Sequence, residues 1–156
     1  MGCVNMNNKI VFPALAVSFI VIMVVYFAMH PSYEKSIVAK YYYEIGDYDE
    51  AYKLANEAFS MDVYNRMAAT IMAQSKTSMK YQEYIEEAKK YMAQIKEIAK
   101  KKSISDADRA RIKVISEIMV SSYKKLAPSV ITDKELIREV AKYYNDFEKL
   151  LEKVNR

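Results

Sequence analysis

Glycine is almost missing from this sequence. Only Gly2 and Gly46 occur in 156 residues. Glycine-rich phosphate loops, dinucleotide fingerprints and nucleophile elbows each need several glycines close together, so all three are excluded. The same scarcity argues against an all-β fold, which needs many tight turns. Histidine occurs once, as His30, and cysteine once, as Cys3. One histidine cannot build a zinc helix or a Ser-His-Asp triad. One cysteine allows neither a disulfide nor a CxxC motif, and so leaves the compartment open. Only carboxylate chemistry remains, for example Asp47 with Glu50. Those two sit in a solvated turn with no apolar pocket to shift their pKa values. No catalysis, no metal and no cofactor is expected.

Residues 10–29 read IVFPALAVSFIVIMVVYFAM, with no charged side chain. A helix of that length is roughly 30 Å long, the thickness of a bilayer's hydrocarbon core. The run exceeds the roughly 7–15 residues of a signal-peptide core and lacks a small-x-small cleavage site at its end. A single transmembrane helix over 10–30 behind a short tail, 1–9, is therefore expected. Cleavage to a secreted helical domain is the alternative. Pro13 falls in the first turn of the run, where a missing N–H costs least. Tyr26 and Phe27 fall where interfacial aromatics gather. The flanking lysines, Lys9 before and Lys35 and Lys40 after, set the orientation weakly. The expectation is a single-pass anchor with the C-terminal part on the extracytoplasmic side. Met-Gly-Cys resembles an acylation start, but Met6 stands where Ser or Thr is wanted. Met6 is also an alternative translation start.

The C-terminal part, residues 32–156, is rich in Ala, Lys, Glu, Ile, Met and Tyr, mostly good helix formers. Its length of about 125 residues is enough for one core-forming domain. Breaks at Gly46-Asp47, Ser75 to Ser78, Ser103 to Asp106 and Pro128-Ser129 divide this part into six helices. Their expected spans are 33–45, 48–60, 63–76, 79–101, 106–127 and 133–154. Ser105 to Asp108 and Thr132 to Glu135 have the spacing of capping boxes. Apolar stripes recur at steps of three and four. They are Tyr81, Ile85, Ala88, Met92, Ile95 and Ala99; Ile112, Ile115, Met119 and Leu126; and Leu136, Val140, Tyr143, Phe147, Leu150 and Val154. The expected fold is all-α, with stacked antiparallel hairpins.

Residues 39–62 read AKYYYEIGDYDEAYKLANEAFSMD. Ala39, the aromatic Tyr42, the Gly46-Asp47 turn, and Ala51 and Ala58 seven apart make residues 32–65 resemble a tetratricopeptide repeat. Val63 departs from the family's common Pro, and Lys35 from its early bulky residue. The second hairpin lacks the Gly-Asp turn, and the third has no signature. The resemblance implies two antiparallel helices and a surface on the first that binds a peptide or partner segment. Ala39, Tyr42, Gly46, Ala51 and Ala58 take structural positions. Lys35, Tyr41 and Tyr43 become the candidate partner-binding surface. Tyr41 to Tyr43 point in directions roughly 100° apart, so at least one is expected at the surface.

Charge is uneven. Glu34 to Asp62 carries 7 acids and 3 bases, whereas Lys76 to Lys102 carries 8 lysines and 4 glutamates. Such blocks can steer partners, or can be solvated helix faces with i,i+4 pairs such as Glu86–Lys90. Lys100 to Lys102 lacks the aromatic and arginine context of nucleic-acid binding. The expected function is a membrane-anchored helical module for protein–protein interaction or scaffolding, with the bilayer and a protein or peptide as partners. A homo-oligomer built through the long C-terminal amphipathic helices is the alternative.

Overall fold

A computed structural model describes residues 8–126 and 132–155. The Met-Gly-Cys start, Met6 and the Pro128-Ser129 break lie outside them. The described residues form six helices: α1 (Asn8–Ala28), α2 (Pro31–Glu44), α3 (Tyr48–Met61), α4 (Arg66–Ala99), α5 (Asp106–Tyr123) and α6 (Lys134–Val154). There is no strand among them.

The chain divides into two compact units, with the boundary between Met72 and Ala73, inside α4. Among the described residues five helices come after α1, where six were expected. The third and fourth expected helices are one, 34 residues long. The expected break at Ser75 to Ser78 does not occur, for three physical reasons. No Gly or Pro lies between Arg66 and Ala99. The Thr77 hydroxyl donates to the Ala73 carbonyl one turn back, so it is satisfied inside the helix at only a slight cost. Ser75 and Ser78 are fully buried, so these small residues take stripe positions between Ile71 and Tyr81. Ser is only a modest helix destabiliser, and packing outweighs that propensity. The second expected hairpin is thus not formed.

In the first unit, α1 starts at Asn8, earlier than the apolar run. Pro13 consequently lies inside the helix, beyond its first turn. α2 begins two residues earlier than expected, with Pro31 at its first position, where proline's fixed φ suits a helix start. It ends in a Schellman turn. Gly46 N–H donates to the Tyr43 carbonyl and Asp47 N–H to that of Tyr42, with Gly46 at φ +84°. That conformation strains any L side chain and suits glycine. The Asp47 carboxylate then accepts the Glu50 N–H and caps α3. Ala39 on α2, Ala51 and Ala55 on α3 and Ile71 on α4 form a small core, with Tyr42, Tyr43, Leu54 and Met72 packed on its edge.

The second unit has the larger core. Tyr81, Tyr84, Ile85, Ala88, Ile95 and Ile98 of α4 meet Ile112, Ile115 and Met119 of α5 and Val140 and Phe147 of α6. Ile98 is the buried residue at the end of the α4 stripe, while Ala99 is exposed. Ser105 and Asp108 form the expected capping box. α5 ends at Tyr123, earlier than expected. At α6 the cap shifts by one: Asp133, not Thr132, accepts the Glu135 N–H.

Candidate functional site

The expected partner-binding residues do not form one open patch. Lys35 reaches across the hairpin, and its ammonium lies 2.5 Å from the Glu57 carboxylate. That bond holds the Glu57 carboxyl below its ordinary 4.5. Tyr43 is half-buried, with its ring 5.3 Å from that of Tyr48. Tyr41 stands out at 62% exposure, edge-on to half-buried Tyr42. Of the residues assigned to structural positions, Ala39, Ala51 and Ala58 are fully buried, while Tyr42 and Gly46 are half-buried.

A buried polar clasp at the base of the hairpin was not expected from the sequence. Asn65 is fully buried. Its amide nitrogen donates to the hydroxyls of Ser32 and Ser36, each at 2.8 Å. The Ser32 hydroxyl donates in turn to the Ala58 carbonyl, and that of Ser36 to the Ser32 carbonyl. The Asn65 side-chain oxygen accepts the Ala68 N–H and caps α4. One side chain thus joins the start of α2, the end of α3 and the start of α4, with each of its buried polar atoms satisfied. Asn immediately before an apolar-periodic run is the signal that could have located it.

The second unit concentrates tyrosines. The Tyr123 and Tyr144 rings stack at 4.2 Å, and Tyr84 lies 6.3 Å from Tyr123. Burial pushes the Tyr84 hydroxyl strongly up from its ordinary value, aided by Tyr123 and Tyr144. That hydroxyl has no hydrogen-bond partner among the described residues. Two shallow clefts flank the cluster. One, of about 360 Å³, is lined by Lys80, Tyr84, Glu87, Ser122 and Lys125 among others. The other, of about 320 Å³, is lined by Tyr81, Tyr123, Lys124, Leu126, Ile137 and Tyr144. Lys89 pairs with Glu139 of α6 at 3.1 Å. Lys101 pairs with Asp108 at 2.6 Å, which holds that carboxyl below its usual range.

α1 presents apolar side chains to the surroundings at nearly every described position, from Phe12 to Tyr26. Among the described residues no single helix is long and apolar enough to cross a membrane. The segments Val11–Tyr26 and Pro31–Glu44, meeting at 94°, pass that test together. At the corner the His30 ring stacks on Tyr26 at 4.4 Å and meets Tyr33 edge-on at 6.2 Å. Its Nδ1 lies 2.8 Å from the Tyr26 carbonyl. No group of three or more potential metal ligands occurs among the described residues. Comparison of the chain with protein-family models, with curated proteins and with solved structures finds no match in any of the three.

Proposed function

We propose that this protein is a single-pass, membrane-anchored helical module that docks a protein or peptide partner and performs no catalysis. The observation that carries the reading is α1. Phe12, Leu15, Val17, Phe19, Ile20, Val21, Ile22, Val24 and Val25 are each more than half exposed. A soluble protein rarely leaves so large an apolar surface in water, and lipid is the solvent that removes the cost. The backbone of α1, Asn8–Ala28, runs 21 residues, about 31 Å at 1.5 Å per residue; its described apolar stretch Val11–Tyr26 is shorter than a full span by itself, and the uncharged run of residues 10–29 supplies the rest. The second segment of the bent pair contains Glu34, Lys35, Lys40 and Glu44, so it does not continue the span.

The tetratricopeptide-like hairpin and the tyrosine-walled clefts support the docking role. Tyr123 and Tyr144, both half-buried at the surface, offer large rigid contact area at low entropic cost, as interface anchors do. We place the soluble part on the extracytoplasmic side, as an uncleaved signal-anchor would. Alkaline carbonate extraction of membranes tests the anchor: the full chain should stay in the pellet, and its release would reject the reading. A reporter fused after Arg156 tests the side. N-terminal sequencing separates a retained anchor from a cleaved signal. Val114 and Ile118, exposed one turn apart on α5, favour self-association as a second reading. Sedimentation in detergent distinguishes it, because a monomer at high concentration removes it.

A further inference from the structure

We infer that α2 is an interfacial helix whose outward row, Tyr33, Ile37, Tyr41 and Ile45, rests on the bilayer surface; the inference builds on α1 as the anchor. Three observations meet here. First, α2 leaves α1 at 94° after a two-residue link. A helix at right angles to a spanning helix lies in the membrane plane, and the short link leaves it no room to lift away.

Second, the corner orients the first turn of α2. The His30 ring touches Tyr26 of α1 and Tyr33 of α2. Tyr33 therefore lies on the α1 side, and Ile37 and Tyr41 follow at four-residue steps, each turned about 40° further round toward the exposed face, with Ile45 just past the end of the helix.

Third, the two helices of the hairpin differ on their outward faces. α3 packs on the opposite side of α2, against Ala39, and turns Asp49, Lys53, Asn56 and Ser60 outward. α2 turns outward Ile37 at 48%, Tyr41 at 62% and Ile45 at 57% exposure, with Val38 beside them. Both outward faces would be polar in a hairpin surrounded by water. Of the large apolar residues of α3 only Met61, at its end, is exposed, and an apolar face on the anchor side is what a lipid boundary selects.

Glu34, Lys40 and Glu44 are the exposed charges of α2. They keep the row at headgroup depth, and tyrosine is an interfacial residue. The acids outnumber the single lysine, so the contact is with the apolar–headgroup boundary of a zwitterionic surface, and anionic lipid should not strengthen it.

The test uses the full chain with Cys3→Ser, reconstituted into phosphatidylcholine vesicles. Single cysteines at Tyr41→Cys, Ile37→Cys and Asn56→Cys carry an environment-sensitive fluorophore. Labels at 41 and 37 should emit to the blue of the label at 56. Nitroxide-bearing lipids should quench them about threefold or more over it, as expected for side chains some 5–10 Å into the boundary. Replacing a third of the lipid with phosphatidylserine should leave the ratio unchanged. Equal quenching at 41, 37 and 56 in a chain that resists carbonate overturns this inference and leaves the anchor standing. Labels that stay in water in that anchored chain overturn it too. A chain stripped off by carbonate overturns both readings.

Discussion

Replacing Asn65 by alanine should cost the first unit about 3 kcal/mol. The figure is built from the clasp. Losing the side-chain cap on Ala68 N–H costs about 1 kcal/mol. Losing the two buried bonds to Ser32 and Ser36 costs about 1 kcal/mol each. The two serine hydroxyls keep their carbonyl acceptors, Ala58 and Ser32, so no buried donor on them is left stranded and the sum does not grow further. Against a total of about 5–15 kcal/mol for a typical domain, this is a large share. Native-state hydrogen exchange on the detergent-solubilised full chain gives the readout. The opening free energy of amides in α2 and α3 should fall by about 2–4 kcal/mol, the sum of cap and hydrogen-bond losses. A double-mutant cycle with Ser36→Ala should return a coupling of about 1 kcal/mol, separating the cross-helix bond from the cap. If Asn65→Ala stays within about 0.5 kcal/mol of the parent and the coupling vanishes, the clasp does not hold the hairpin.

Gly46→Ala should cost about 1 kcal/mol in urea unfolding. Nothing lies within 4 Å of the added Cβ, so the cost is the positive φ alone; an unchanged midpoint would contradict the Schellman geometry. Tyr84→Phe removes a buried hydroxyl with no partner and should raise stability by about 1 kcal/mol; a loss would mean that the hydroxyl is bonded. Phe147→Ala, at a fully buried position, should cost the second unit about 3–5 kcal/mol in thermal melts, and a loss below about 1.5 kcal/mol would put Phe147 outside the core. Lys35 lowers the Glu57 carboxyl below 4.5 and Lys101 lowers Asp108 below 3.8. A depressed carboxylate adds stability above its unfolded pKa and loses it as pH falls through the folded one. Stability should therefore fall on acidification below about pH 4.5, and less steeply in Lys35→Met; parallel acid curves for the two proteins would remove the pair from the account.

Much of the local structure is legible in the sequence. Gly46-Asp47 marks the tight turn in the hairpin, because a single glycine among helix formers has one job. Ser105 and Asp108 mark a helix start, because capping uses side chains three residues apart. The stripes around Ile85, Ile115 and Phe147 mark the three walls of the second core. The tetrad Ser75 to Ser78 misleads, because its polarity suggests a break while small size on the buried face is the property that counts. The candidate partner-binding residues Lys35, Tyr41 and Tyr43 are placed by resemblance. Which of them stand open depends on neighbours far along the chain: Glu57 engages Lys35, and Tyr48 packs against half-buried Tyr43.

Helical class, the capping box at Ser105 and Asp108 and the apolar run at 10–29 come from the sequence alone, since periodicity, capping and hydropathy act within a few residues. The merging of two helices into α4, the division into two units and the Asn65 clasp come only from the tertiary structure. So does the right-angle corner between α1 and α2. Each depends on contacts between segments distant in sequence, where packing outweighs local preference.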